Sequence, residues 1–167
     1  MRTLLSILLA TAIFGGRILY LYLKRRRREF LYPVEAGPTS DTDEDFTQPV
    51  SVCIGEMKKT PGLDYFLVKN ECMRPIGICP GDIIGVQLFD DEFTIDDVEE
   101  GDVLLIELND EKFRGRKIRV MDHAEQNAFA TYYYVGSKKQ QPSSKLHSFD
   151  SIKGVVRELN HLYRDVA

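Results

Sequence analysis

An apolar segment, residues 3–23, restricts this chain more than any other feature. It contains 21 residues and a single charged side chain, Arg17. As a helix the segment would be roughly 31 Å long, which matches the hydrocarbon core of a bilayer. Arg17 lies in the C-terminal third of the segment, where its long side chain can reach the membrane surface. The pattern therefore predicts a single transmembrane helix.

A run of five basic residues, 24–28, directly follows the apolar segment. Because basic flanks stay on the cytoplasmic side of a membrane, the run predicts that the rest of the chain faces the cytoplasm. A cleaved signal peptide would carry its basic residues before the apolar part and a small-residue cleavage site after it, and here the order is reversed. A nuclear or nucleic-acid-binding patch also fits less well, because directly after an apolar span such a run fixes topology and contacts anionic lipids.

Charge is unevenly distributed along the chain. The first 28 residues carry seven basic and no acidic side chains, so the other 139 residues carry 15 basic and 26 acidic ones. A body with that acidic excess repels phosphate backbones, which argues against nucleic-acid binding by the folded part. The three cysteines, Cys53, Cys72 and Cys79, fit no zinc spacing, and a reducing cytoplasm disfavours disulfides between them. No metal and no other cofactor is expected.

Composition and periodicity divide the chain into three regions. Residues 1–28 form the predicted anchor with its basic flank. Residues 29–49 are rich in Pro, Gly, Ser, Thr and acidic residues, lack apolar periodicity, and predict a flexible linker. In residues 50–167, short β-forming runs alternate with turn signals such as Pro-Gly-Asp, and no long stretch has helical spacing. The expected fold is a compact, mostly β domain that follows a single N-terminal transmembrane helix.

The stretch 66–86, FLVKNECMRPIGICPGDIIGV, carries a family resemblance. It resembles the self-cleaving LexA and UmuD proteins, relatives of the signal peptidases, whose nucleophile motif is Ser-Met followed by a Gly-Asp turn and an apolar strand. Here a second Gly-Asp, at 101–102, opens the run VLLIEL, and SFDSIKGVV lies near the C-terminus. The resemblance covers about residues 34–159 and implies a LexA-like or signal-peptidase-like β domain.

In this resemblance, Cys72 stands where the family has its nucleophilic serine. The family's general base is a lysine in the strand after VLLIEL, and the matching stretch here is KFRGRKIRV. Its register is open, because one alignment puts Arg116 at the lysine position, a second puts Ile118 there, and an intermediate one puts Lys117. Arginine stays protonated and cannot be a base. A thiol needs less help than a hydroxyl, however, so Lys117 or Arg116 could activate Cys72 simply as a nearby cation.

The same resemblance implies the remaining roles. His123 could protonate the leaving amine, and the backbone N–H groups of Glu71 and Cys72 would form the oxyanion hole. Proteins of the family cut their own chain between a small residue and Gly in the linker before the catalytic domain. The corresponding bond here is Ala36-Gly37, which lies 35 residues before Cys72. Docked as an added strand, this linker would be the substrate.

Three functions are compatible with these features. The first is a membrane-anchored peptidase with a Cys nucleophile, which cuts Ala36-Gly37 and releases its cytoplasmic domain. The second is an inactive relative that binds an extended peptide without cutting it, with Cys72 as a buried thiol. The third is signal-peptidase-like processing of other membrane proteins, which the predicted cytoplasmic side disfavours. The sequence leaves open the trigger of the reaction and whether the domain forms a homodimer.

Overall fold

A computed structural model describes Gly16 and residues 27–36, 48–71, 73–90, 92–110, 113–126, 128–140 and 146–161. These residues are mostly β, as predicted from the sequence. Their strands are β1 Arg28–Ala36, β2 Val50–Cys53, β3 Asp64–Val68, β4 Ile83–Leu88, β5 Val103–Asp110, β6 Phe113–Ala124, β7 Ala128–Val135, β8 Lys138–Gln140, β9 His147–Ser148 and β10 Ile152–Asn160. Their short 3-10 helices are Arg74–Ile76, Ile95–Asp97 and Phe149–Ser151.

The predicted transmembrane segment, residues 3–23, lies outside the described residues apart from Gly16. Within the part of the chain that is described, no helix has both the length and the apolar character needed to cross a membrane.

The chain divides into two compact units. One comprises Met1–Phe30 and Ser51–Lys58, and the other comprises Leu31–Val50 and Lys59–Ala167. In the first unit, the backbone N–H of Ile54 donates to the carbonyl oxygen of Arg27 at 2.9 Å, and the Arg27 guanidinium pairs with Glu29 at 2.7 Å. All the candidate catalytic and cleavage residues belong to the second unit.

The strands of the second unit form a closed ring of pairings. Their order is β1, β3, β4, β10, β5 and β6, and β6 pairs in turn with β1. Strand β1 runs parallel to both of its neighbours in this ring, whereas the other pairs are antiparallel. Strand β7 continues the sheet from β6, and both β8 and β9 pair with β7. The ring brings the beginning of the second unit next to β6, which carries three of the candidate catalytic residues.

Two apolar clusters cover opposite faces of this sheet. Consecutive residues of a strand point to opposite faces, so Leu105 belongs to one cluster and Leu104 and Ile106 belong to the other. This explains why the run VLLIEL is apolar without alternation. The first cluster contains Val34, Phe66, Val68, Met73, Ile78, Ile84, Val86, Leu105, Ile118 and Val120. The second contains Phe93, Leu104, Ile106, Met121, Phe129, Ile152 and Val155.

The two Gly-Asp motifs, Gly81-Asp82 and Gly101-Asp102, form the same turn. Both glycines have positive φ, at 89° and 95°, which glycine adopts without steric cost. In the first turn, the aspartate carboxylate accepts the backbone N–H of Cys79 at 2.7 Å, and the aspartate N–H donates to the Cys79 carbonyl at 3.0 Å. In the second turn, the Asp102 carboxylate accepts the backbone N–H of Glu99 at 3.0 Å, and the Asp102 N–H donates to the Glu99 carbonyl at 3.1 Å. Each turn directly precedes an apolar strand, β4 or β5.

Candidate active site

Strand β1 includes the first part of the segment that the sequence predicts to be a flexible linker. For residues 29–36 that prediction is wrong, because they lie in the sheet, and Leu31 and Val34 are buried. Three consecutive residues of β1 pair with three of β3: Tyr32 with Phe66, Pro33 with Leu67, and Val34 with Val68. The last two residues of β1 pair with β6: Glu35 with Lys117 and Ala36 with Ile118. The candidate cleavage residue Ala36 therefore ends a docked strand, while Gly37 lies outside the described residues.

The end of β1 lies alongside the chain that leads from β3 to Cys72. The backbone N–H of Lys69, the first residue after β3, donates to the carbonyl oxygen of Val34 at 3.1 Å. Cys72 itself lies outside the described residues. The nucleophile and its half of the oxyanion hole therefore stay predictions.

The residues on either side of Cys72 are held by a hydrogen-bonded turn. The carbonyl oxygen of Glu71 accepts the N–H of Arg74 at 3.0 Å, and that of Met73 accepts the N–H groups of Ile76 and Ile78 at 3.1 and 3.2 Å. Met73 is fully buried in the first apolar cluster. The exposed Glu71 carboxylate forms an ion pair with Arg74 at 3.0 Å. One flank of the candidate nucleophile is thus anchored in the core, and the other is at the surface.

Lys117, the candidate base in one of the three alignments, is buried and paired with Glu35. The exposed fractions of the two side chains are 1% and 4%, and the ammonium donates to the Glu35 carboxylate. Because Ile118 faces the first apolar cluster, the neighbouring Lys117 points to the opposite face of β6. The Lys117 nitrogen is therefore engaged with the Glu35 carboxylate on the face of β6 opposite the first apolar cluster.

Arg116, the candidate in the first of the three alignments, contacts two aromatic rings. Its guanidinium carbon lies 5.4 Å from the ring centre of Tyr32 and 5.7 Å from that of Phe66. Tyr32 and Phe66 pair with each other, two positions before Val34 and Val68 on the same strands. The guanidinium is therefore directed toward the beginnings of β1 and β3, whereas the chain reaches Cys72 only after the end of β3.

His123 lies farther along β6, on its exposed part. Its Nδ1 is 3.2 Å from a carboxylate oxygen of Asp122, and its Nε2 is 3.8 Å from Glu125. A hydrogen bond from Lys139 holds the pKa of the Asp122 carboxyl below its usual value. His123 follows Lys117 by six positions, which is about 20 Å along a strand. The two predicted partners of Cys72 are therefore separated on the same strand.

Glu35 is the site residue that the sequence analysis missed. It lies 82 positions before Lys117 in the chain, and no local pattern predicts their contact. One signal was present, since Glu35 is the only charged residue in the stretch FLYPVEA, residues 30–36. A single acid in an otherwise apolar run, directly before a candidate cleavage bond, suggests a specific partner.

Within the described ranges, no group of three or more His, Cys, Asp or Glu side chains could hold a metal ion. The chain matches no model of a known protein family and no curated protein.

Proposed function

We propose that this chain is a peptidase that cuts its own backbone at Ala36-Gly37, with the Cys72 thiol as nucleophile. The observation that carries the proposal is the position of β1, which ends at Ala36 and runs beside β3, the strand that leads to Cys72. The hydrogen bond between Lys69 and Val34 holds the two segments together at this end. A segment fixed as a strand presents its next peptide bond in one orientation, which is how an enzyme lowers the entropic cost of reaction.

The reaction requires two steps. The Cys72 sulfur attacks the carbonyl carbon of Ala36, the bond to the Gly37 nitrogen breaks, and the leaving amine gains the proton that the thiol gives up. Water then hydrolyses the thioester, which leaves a carboxylate on Ala36 and restores the thiol. The group that carries the proton is unassigned among the described side chains, because Lys117 is paired with Glu35 and Arg116 contacts aromatic rings.

The proposal extends to the fold family and to the membrane. The two Gly-Asp turns and the sequence Ile152-Lys153-Gly154-Val155-Val156 support a LexA-like or signal-peptidase-like domain. The apolar and basic residues 1–28 support a membrane anchor with this domain on the cytoplasmic side. Cleavage would then release residues 37–167 from an anchored stub.

A second function, peptide binding without cleavage, is favoured by a different observation. The two cations that the sequence suggests as partners of Cys72 both contact β1, Lys117 through Glu35 and Arg116 through Tyr32. Contacts of this kind hold a strand in place against its domain. In this alternative, β1 is a permanent ligand of its own domain.

Mass spectrometry of the full chain in detergent at mildly alkaline pH separates the two functions. The peptidase yields a fragment that begins at Gly37, and both Cys72→Ala and Gly37→Glu abolish it. A chain that keeps its full mass, or Cys72→Ala protein cut at the same bond, would leave the binding function as the better account.

Alkylation gives an independent measurement. Cys53 is exposed and Cys79 is partly exposed, so both are first replaced by serine to leave Cys72 as the single thiol. An iodoacetamide reaction whose pH midpoint lies well below that of a free thiol supports catalysis. An inert Cys72 supports the binding module.

A further inference from the structure

The contact between Glu35 and Lys117 has an unusual location for an ion pair. Lys117 is 1% exposed, and its neighbour on the β5 side is the buried aliphatic side chain of Ile106. On the other side of Lys117, β1 contributes the Glu35 carboxylate. A carboxylate from the segment that the proposed reaction cuts thus pairs with this buried ammonium.

Position 35 also has a fixed relation to the proposed scissile bond. Glu35 directly precedes Ala36, and in the parallel pairing of β1 with β6 these two residues lie opposite Lys117 and Ile118. If β1 slipped by one residue, Val34 or Ala36 would lie opposite Lys117, and the ammonium would face an apolar side chain. The slip would also move every side chain of β1 to the other face of the sheet. The ion pair therefore sets which peptide bond follows the end of the strand.

We propose that Lys117 is the specificity-determining residue for the segment to be cut, and that it selects an acidic side chain immediately before a small residue. This inference rests on the proposed peptidase function. Its substrate class is an extended segment of the form acidic-small-Gly, represented here by Glu35-Ala36-Gly37. Loss of one partner from a buried ion pair is far more costly than loss of one from a surface pair. We therefore expect at least about a hundredfold discrimination between Glu and a neutral residue at position 35.

Hydrogen exchange of residues 31–36 in Cys72→Ala protein tests the selection without any cleavage. We expect Glu35→Gln to speed exchange of this segment by at least about a hundredfold, while Glu29→Gln leaves it unchanged. Glu29 is the matched control, because it lies on the same strand but its ion pair with Arg27 is at the surface. Exchange in Glu35→Gln equal to that of the parent would overturn the proposal.

A switch of preference distinguishes selection from a general need for stability. In Lys117→Met protein, the ammonium is gone and an apolar side chain should be preferred, so the double variant Glu35→Leu/Lys117→Met should exchange more slowly than Lys117→Met alone. The reversed pair, Glu35→Lys/Lys117→Glu, should recover part of the protection. If Glu is preferred over Leu at position 35 whichever residue occupies position 117, Lys117 does not select.

The same variants with Cys72 present give the cleavage result. If Lys117 selects the segment, Glu35→Gln should slow the appearance of the fragment that begins at Gly37 by the same factor by which it speeds hydrogen exchange. In Lys117→Met protein, Glu35→Leu should restore cleavage. If the parent chain is never cut, the peptidase proposal fails, and the exchange preferences alone decide whether Lys117 selects the docked strand. If the parent is cut and Glu35→Gln is cut equally fast, the peptidase stands and the selection by Lys117 is wrong.

Discussion

Gly154 of β10 lies directly against the backbone of Gln87 in β4. A Cβ atom at position 154 would overlap the Gln87 carbonyl oxygen and lie 2.9 Å from the Cα of Leu88. Both neighbours are backbone atoms, so no side-chain rotation can relieve the contact. This gives a structural reason for the glycine in the sequence IKGVV, independent of any catalytic role.

We expect Gly154→Ala to destabilise the domain by about 3 kcal/mol or more, since the strands must separate to accept the methyl group. Gly85→Ala is the control, and we expect it to destabilise the domain less. Its nearest contact, at 3.0 Å, is with the edge of the Tyr65 ring, which can shift. Urea unfolding of both variants checks that Gly154→Ala loses more stability than Gly85→Ala. Equal midpoints for Gly154→Ala and the parent protein would contradict the close approach.

The two Gly-Asp turns should differ in how much they stabilise the fold. Asp82 is buried, accepts the N–H of Cys79, and lies 3.1 Å from Nδ1 of His161, whereas Asp102 is partly exposed. Removal of a buried acceptor leaves its donor unsatisfied, at a cost of about 1–3 kcal/mol. We expect Asp82→Ala to reach the upper part of that range and Asp102→Ala the lower part in urea unfolding. A larger loss for Asp102→Ala would show that burial does not set the difference.

Glu158 should contribute to the acid sensitivity of the domain. Hydrogen bonds from Thr60, and to a lesser extent from Tyr65, hold the pKa of its carboxyl below the usual value of 4.5. A carboxyl whose pKa is lower in the folded state stabilises that state above pH 4.5, and this contribution is lost as the pH falls through the folded pKa. NMR titration should show the pKa rising in Thr60→Ala, and rising less in Tyr65→Phe.

Thr60→Ala and Tyr65→Phe should also lose less stability than the parent as the pH falls from 5 through the folded pKa of Glu158. In these variants the carboxyl contributes less to stability, so there is less to lose. The Lys153→Ala variant serves as a control, since Lys153 does not contribute to the shift of Glu158. A Glu158 pKa that is unchanged in both hydroxyl variants would remove the hydrogen bonds as its cause.

Local patterns predicted most of the strands. The runs IIGVQLF, VLLIEL and IKGVVREL correspond to β4, β5 and β10, because each is bounded by turn residues and filled with β-forming side chains. Local patterns did not predict strand β1, because its Pro and its nearness to an acidic, Pro-rich stretch favoured a linker. Its pairing depends on partners far along the chain, which composition does not reveal.

In the candidate site, too, local patterns do not reveal contacts between residues far apart in the chain. The Cys-Met motif and the Gly-Asp turns are local, so the sequence could place them on a turn between two strands. The partner of Lys117 could not be found in this way, because parallel pairing brings Glu35 next to it from 82 positions away. The alternation of faces along β6 then decides that Arg116 and Lys117 have different neighbours.

Arg116 should act on β1 and not on Cys72. Its guanidinium lies over the ring of Tyr32, and such a contact at a partly exposed site contributes about 0.5–1 kcal/mol. A double-mutant cycle with Arg116→Met and Tyr32→Leu, followed by urea unfolding, should give a coupling energy of that size. In protein with Cys72 as its single cysteine, Arg116→Met should leave the pH midpoint of Cys72 alkylation unchanged, because its charge is directed toward the other end of the strands. Zero coupling together with a raised alkylation midpoint would instead make Arg116 the cation that activates the thiol.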